Sequence, residues 1–233
     1  MNTDATNKKD NVQLCVMVCY YIENQMLEDT IFSLLSNNYM DLHIIVLDAI
    51  SNAKCILRAS IDNDNVEIID ISEKKFANLA QLKNYSLKYI NSEYFTFIDA
   101  GQTIGVNDIR RLCNSPLEDL NMSLISILTE KISCHKLFMY CINDFKKSKG
   151  SLYNCALYSG EERELAIRLL ANDIKNNTSE LTANMHYITL YDSSEEFSLS
   201  ILVSFAYIIG KYSSLLNSYN LYTDICDFYC KFA

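Results

Sequence analysis

Residues 43–48, HIIVLD, and residues 94–99, YFTFID, are two apolar runs that each close on an acid, Asp48 and Asp99. Short runs rich in Ile, Val and Phe read as strands, and with so little polar alternation they read as strands covered on both faces. Residues 12–19, VQLCVMVC, are a strand of the same kind, and residues 66–71, VEIIDI, are a shorter one. Helices separate them. Leu27, Ile31, Leu34 and Leu35 recur at helical spacing, with Glu28 and Asp29 where acids complement a first-turn dipole. Residues 53–60 are read as a second helix, and Leu79, Leu82, Ser86, Tyr89 and Ile90 fall on one face of a third. Strand and helix alternate in this way through residue 112. Right-handed crossovers then build an α/β fold with a doubly wound, mostly parallel sheet flanked by helices, which binds ligands beyond the carboxyl ends of its strands. Asp48 and Asp99 both stand at such ends.

After Pro116 the pattern changes. Residues 122–128 read as a further strand, residues 161–171 as a helix, residues 186–191 as a strand, and residue 197 onward as helical. The implied organisation is a polar, disordered tail over residues 1–11, an α/β half over 12–112, a second half of the same domain over 113–195, and a helical C-terminal extension over 196–233. A soft boundary falls at residues 113–121.

The whole chain, 233 residues at 49% hydrophobic content, is long enough to bury a sizeable core. Its net charge of -9, with 29 acidic residues against 20 basic ones, argues against nucleic acid as a partner, because phosphate binding needs clustered Lys and Arg. The polar first eleven residues lack the apolar core of a signal peptide, which predicts a cytoplasmic, at most membrane-peripheral, protein. The longest apolar run, residues 197–210, is broken by three serines and is too short for a transmembrane segment, so it reads as a buried helix. Nine cysteines, scattered and in apolar surroundings such as those of Cys15 and Cys19, read as free buried thiols. Cys226 and Cys230 stand one helical turn apart, but no histidine or second cysteine pair accompanies them as metal ligands. His43, His135 and His186 form no triad with Ser or Cys and read as structural or surface residues, with His186 the one that a sheet-end metal would reach.

Two longer stretches add a resemblance. Residues 16–51, VMVCYYIENQMLEDTIFSLLSNNYMDLHIIVLDAIS, and residues 82–101, LKNYSLKYINSEYFTFIDAG, resemble the opening strand and helix, the Arg-Asn-bearing helix and the Asp-x-Asp strand of family-2 glycosyltransferases. Tyr21, Leu27, Thr30, Ser33, Leu34, Leu35, Tyr39, Asp48 and Ser51 fit the first pattern. Lys83, Asn84, Leu87, Glu93, Tyr94, Phe97 and Asp99 fit the second. More loosely, HKLF at 135–138 and GEERELAIRLL at 160–170 resemble the family's Asn-Lys-Leu-Phe and its helix carrying Glu-Asp. The resemblance implies a GT-A (Rossmann-like) fold in which residues 12–112 bind a nucleotide-sugar and residues 113–195 face the acceptor. It implies transfer of a sugar, with inversion, from a nucleotide-diphosphate donor, a UDP-sugar by preference, to a glycan, lipid-linked or protein acceptor. The alternative is an inactive homologue serving as a partner or scaffold beside another glycosyltransferase in glycan assembly.

Such a transferase must grip a nucleoside, neutralise a departing diphosphate and deprotonate a hydroxyl. The resemblance assigns donor binding to Tyr21, Glu23, Asp48, Lys83 and Asp99. Ile22 and Ala49 stand where the family has an Asn and a second acid, which thins the nucleoside contacts. Asp48 also reads as a helix cap or turn residue. Asp99 opens the Asp-x-Asp motif that binds Mg²⁺ or Mn²⁺, but Gly101 replaces its second acid, leaving a degenerate motif, a lone carboxylate and the carbonyl oxygen of Gln102. Lys83 reads either as a positive charge near the diphosphate or as a solvated helix residue. Glu161 and Glu162 take the place of the catalytic acids, with Glu162 as the base. Dipole complementarity alone would also put two acids there.

Overall fold

The computed structural model describes residues 13–23, 26–57, 63–114, 134–143, 152–157, 161–176, 186–191 and 199–218. The tail over 1–11, the strand read at 122–128, the last residues of the helix read over 53–60 and the pair Cys226 and Cys230 lie outside the described residues.

Six strands form one sheet: β1 (Leu14–Tyr20), β2 (Leu42–Asp48), β3 (Val66–Asp70), β4 (Tyr94–Asp99), β5 (Cys134–Cys141) and β6 (His186–Tyr191). Their order is β3-β2-β1-β4-β5-β6. The first four strands run parallel, β5 is antiparallel to β4, and β6 is antiparallel to β5. The described helices are α1 (Leu27–Leu35), α2 (Ala53–Leu57), α3 (Leu79–Ser86), α4 (Asp108–Asn114), α5 (Glu161–Asn176), α6 (Leu199–Lys211) and α7 (Ser213–Ser218). The α5 helix runs five residues beyond the 161–171 read from the sequence. β5 contains the HKLF motif at 135–138 and adds a strand to the sheet beyond those expected from the sequence.

Every residue of β1 is buried, because it lies between β2 and β4 with both of its faces covered. Strand side chains alternate between faces. Cys15, Met17 and Cys19 therefore join one core with residues of α3, α5, α6 and segment 152–157. Leu14, Val16, Val18 and Tyr20 join the other, with residues of α1, α2 and α4. The strand order reverses between β1 and β4, the topological switch point at which sheets of this kind bind ligands. The register puts Cys19 beside Asp99, Tyr20 beside Asp48, and Asp48 beside Asp70.

The C-terminal helix α6 is tied to α5 through Glu164, which is fully buried. Its carboxylate accepts from Lys211 Nζ at 2.6 Å and from the Tyr212 hydroxyl at 2.7 Å. The helix is not buried all round, as the apolar run at 197–210 suggested. Ile208 and Ile209 are buried, whereas Val203 and Tyr207 are 61% and 44% exposed. Among the described residues, no helix is long and apolar enough to cross a membrane.

Candidate functional site

The α3 helix begins at Asn78, whose side chain accepts from Gln81 N–H at 3.0 Å, while Gln81 Oε1 accepts from Ala77 N–H at 2.9 Å. This reciprocal cap fixes where the helix starts, and hence which way its next turn faces. The same helix clasps segment 152–157. Asn78 Nδ2 donates to Cys155 O at 2.7 Å, and the Asn84 amide both donates to Tyr153 O and accepts from Tyr153 N–H at 2.8 Å. Arg168 of α5 also donates to Leu152 O. Thus held, the Tyr153 ring meets Phe97 edge-on with centroids 5.6 Å apart.

Lys83 projects between those two rings. Its Nζ lies 5.5 Å from the Phe97 centroid and 5.4 Å from that of Tyr153, within cation–π range. It donates to Glu161 Oε1 and to Glu162 Oε1, both at 2.8 Å. Lys83 is only 4% exposed, so it is neither a solvated helix residue nor an ammonium facing water. Burial opposes its charge, and the carboxylates of Glu161, Glu162 and Asp99 more than offset that, holding its pKa well above the usual lysine value. On the other side, the Tyr140 hydroxyl of β5 donates to Glu162 Oε2 at 2.9 Å. Both oxygens of Glu162 therefore have a donor. Burial pushes the Glu162 carboxyl up, and Lys83 pulls it back only in part.

Asp99 closes β4 beside this cluster, and its charge bears on Lys83, on Tyr21 and on Cys19. Burial raises the Tyr21 hydroxyl pKa and Asp99 adds to the shift. Six cysteines, Cys15 and Cys19 among them, are free thiols in the described residues, and burial pushes Cys15 up to about 12. The loop after Asp99 is stitched to α1: Gly101 N–H donates to Thr30 Oγ1 at 2.8 Å and Ile104 N–H to Ser33 Oγ at 3.2 Å.

Asp48 and Glu23 lie apart from this cluster, at the end of the crevice near Tyr20. Asp48 is 2% exposed. Its Oδ1 accepts from Ile50 N–H at 3.0 Å and Ser51 N–H at 2.8 Å, and its Oδ2 from Ala53 N–H at 2.8 Å. The carboxylate thus shapes the loop into α2 and holds Ser51 at a φ of 66°. Glu23 is exposed, and its charge, like that of Asp48, bears on Tyr20.

Three contributors were missed in the sequence: Tyr140, the clasp made by Asn84, and Asp70. Asp70 lies beside Asp48 and accepts from Ser51 Oγ at 2.8 Å and Ser72 Oγ at 2.6 Å. Asp70 had a signal, since it too is an acid closing an apolar run. Tyr140 had none, because its partner lies in a distant helix.

The family resemblance implies Mg²⁺ or Mn²⁺ at Asp99, and the donor set does not fit such an ion. Gly101, at the second motif position, has a φ of 95°, a backbone state that L side chains rarely adopt. Gln102 Oε1, a spare carbonyl by sequence, accepts from Asp99 N–H at 3.1 Å. One oxygen each of Glu161 and Glu162 accepts from Lys83. Among the described residues no group of three or more His, Cys, Asp or Glu is arranged to hold a metal. His186 lies on β6, at the far edge of the sheet from β1.

Residues 15–118 match the family model described as Glycosyl transferase family 2. No curated protein matches the chain in sequence. Among solved structures, TarS 1-349 of S. aureus is similar at a TM-score of 0.54 and 13% identity, over 84% of this chain and 65% of that one. The same fragment in complex with UDP-GlcNAc gives 0.55 at 13%, over 84% and 64%. The mannosyltransferase PcManGT from Pyrobaculum calidifontis, in complex with GDP-Man and Mn²⁺, gives 0.53 at 12%, over 69% and 52%. The chain spans less than two thirds of the length of these structures, and at such identities the likeness is one of fold. Over residues 15–118, then, the chain matches glycosyl transferase family 2, and its sheet is that of the GT-A fold.

Proposed function

We propose that the chain binds a nucleotide-diphosphate sugar, a UDP-sugar by preference, beyond the carboxyl ends of β1, β2 and β4, and transfers the sugar with inversion to a hydroxyl of a glycan, lipid-linked or protein acceptor. The observation that carries this reading is the convergence of Lys83, Glu161, Glu162 and Asp99 beside the switch point of a sheet whose residues match family 2. In this reading the acceptor oxygen attacks the anomeric carbon, the bond from that carbon to the diphosphate breaks, and the nucleotide diphosphate leaves with the bonding pair. Glu162 takes the acceptor proton. Its pKa is raised, the direction that makes a carboxylate a stronger base, and Tyr140 fixes its orientation. Lys83 supplies positive charge beside the departing diphosphate by giving up part of its pairing with Glu162. Tyr21 and Glu23 flank the nucleoside. Asp48 acts there through the loop it shapes. The structures with UDP-GlcNAc and with GDP-Man support a nucleotide-sugar as the ligand class.

A second reading, an inactive partner module in glycan assembly, is favoured by one observation: α6 exposes Val203, Ala206, Tyr207 and Gly210 along one side, a face suited to another protein such as an active glycosyltransferase. Calorimetric titration with UDP and a set of UDP- and dTDP-sugars separates the two. Micromolar binding that weakens about tenfold on Asp99→Ala supports the transferase. No heat with any nucleotide sinks it and moves the search to protein partners.

A further inference from the structure

Two carboxylate oxygens, one each from Glu161 and Glu162, converge on a single point 2.8 Å from both, and an ammonium sits at that point. The two glutamates are adjacent at the start of α5, while the lysine comes from α3, 78 and 79 positions away in sequence. The site is closed around the lysine by Phe97 and Tyr153, with Tyr153 clamped through both its backbone groups by Asn84. Hard divalent ions need several oxygen ligands, and a lone carboxylate holds them weakly. Here one oxygen each of Glu161 and Glu162 accepts from Lys83, the other Glu162 oxygen accepts from Tyr140, and Gln102 Oε1 accepts from the Asp99 N–H, so the oxygens around the Asp99 carboxylate are largely committed.

We propose that Lys83 is the resident cation of this site, supplying beside Asp99 the positive charge that a divalent metal would otherwise bring, so that the site recruits no metal and nucleotide-diphosphate binding proceeds without one. The nucleotide part rests on the function proposed above, and the metal part does not. With Lys83 removed, two carboxylates face one another across the space its ammonium filled, with Asp99 nearby, and that arrangement attracts Mn²⁺.

The test is a Mn²⁺ titration followed by the electron paramagnetic resonance signal of the free ion, at about pH 8, well above the ordinary glutamate value. The wild-type protein is expected to leave the signal intact at concentrations up to about 1 mM. Lys83→Ala, checked for folding by circular dichroism, is expected to bind Mn²⁺ at least about tenfold more tightly than the wild type. Wild-type binding well below about 0.1 mM overturns the proposal without reference to any variant. A folded Lys83→Ala protein that gains no affinity for Mn²⁺ also overturns it. In a parallel titration with UDP, equal affinity in EDTA and in Mn²⁺ is expected, and a Mn²⁺-dependent gain of about tenfold or more overturns the proposal. If UDP binds in neither condition, it is the nucleotide-sugar reading that fails, and the Mn²⁺ titrations still decide the role of Lys83.

Discussion

The two ends of the crevice satisfy a buried carboxylate in opposite ways. Asp48 is held by neutral backbone N–H groups from two, three and five residues further on, so its environment forms as soon as its own loop does. Glu162 is held by an ammonium and a phenol that are 79 and 22 positions away, so its environment exists only once α3, β5 and α5 have packed together. Amide donors fix geometry while leaving the carboxylate's charge in place, and loss of that carboxylate strands N–H groups one at a time. A buried ion pair is less forgiving, because removing one partner leaves the other charge uncompensated.

The largest effect is therefore expected at the charged end. Lys83→Met should cost about 3–5 kcal/mol in urea unfolding near about pH 8. Glu162 already has a raised pKa, and without Lys83 the upward push of burial and Glu161 is opposed by the Tyr140 hydrogen bond alone. A carboxyl whose folded pKa is raised favours folding below its unfolded pKa and loses that advantage as pH rises through the folded value. The deficit of Lys83→Met should thus shrink as the solution is acidified toward about pH 5. A deficit independent of pH would mean that the loss is one of packing. Next comes Asp48→Ala, at about 2 kcal/mol, with Asp48→Asn retaining an acceptor and losing less. If Asp48→Asn abolishes UDP binding while the unfolding curve barely moves, the aspartate touches the nucleoside directly and the contrast between the two ends breaks down.

The same contrast explains what was legible in the sequence. The strands of the parallel core are continuous apolar runs, and β1, β2 and β4 fall where those runs do, because burial on both faces leaves no room for polar alternation. Asp48 as a turn and cap residue was equally readable, its donors being neighbours in the chain. Lys83 was not. A lysine in an α3 turn of low hydrophobicity carries no mark of burial, and its position depends on Asn84 gripping a strap 69 residues away. For the same reason Tyr140 went unnoticed, and β5 was seen as a motif without its antiparallel place beside β4. Composition reads the α6 helix as buried, but apolar content does not say how much of the far side a neighbour covers, and Val203 and Tyr207 stay largely exposed.

Tyr140→Phe should be milder than either, at about 1 kcal/mol, since one hydrogen bond is lost and Lys83 remains. The informative readout is the Glu162 carboxyl carbon in a ¹³C-labelled protein. An O–H donor favours the charged form of a carboxylate, so its removal should move the Glu162 pKa further up. If the pKa is unchanged, Tyr140 packs against Glu162 without directing it, and the base assignment loses its support on that side.

The smallest effect belongs to Asp70, at the neutral end, and it is visible as a titration more than as stability. The Ser72 hydroxyl and N–H and the Ser51 hydroxyl all donate to this exposed carboxylate, lowering its pKa to about 2, with the Ser72 hydroxyl the largest cause. Any stability it lends is present above the unfolded aspartate value near about 4 and is lost as pH falls through about 2. In one acid titration, then, the two ends should separate: Glu162 takes its proton first, above the ordinary carboxylate range, and Asp70 takes its proton last. Ser72→Ala should bring Asp70 back toward the ordinary range and leave Glu162 where it was, because serine hydroxyls act only on the oxygen they touch while Lys83 acts through charge. If Ser72→Ala shifted both, the two ends would be electrostatically one site, and the nucleoside end could no longer be treated as neutral scaffolding.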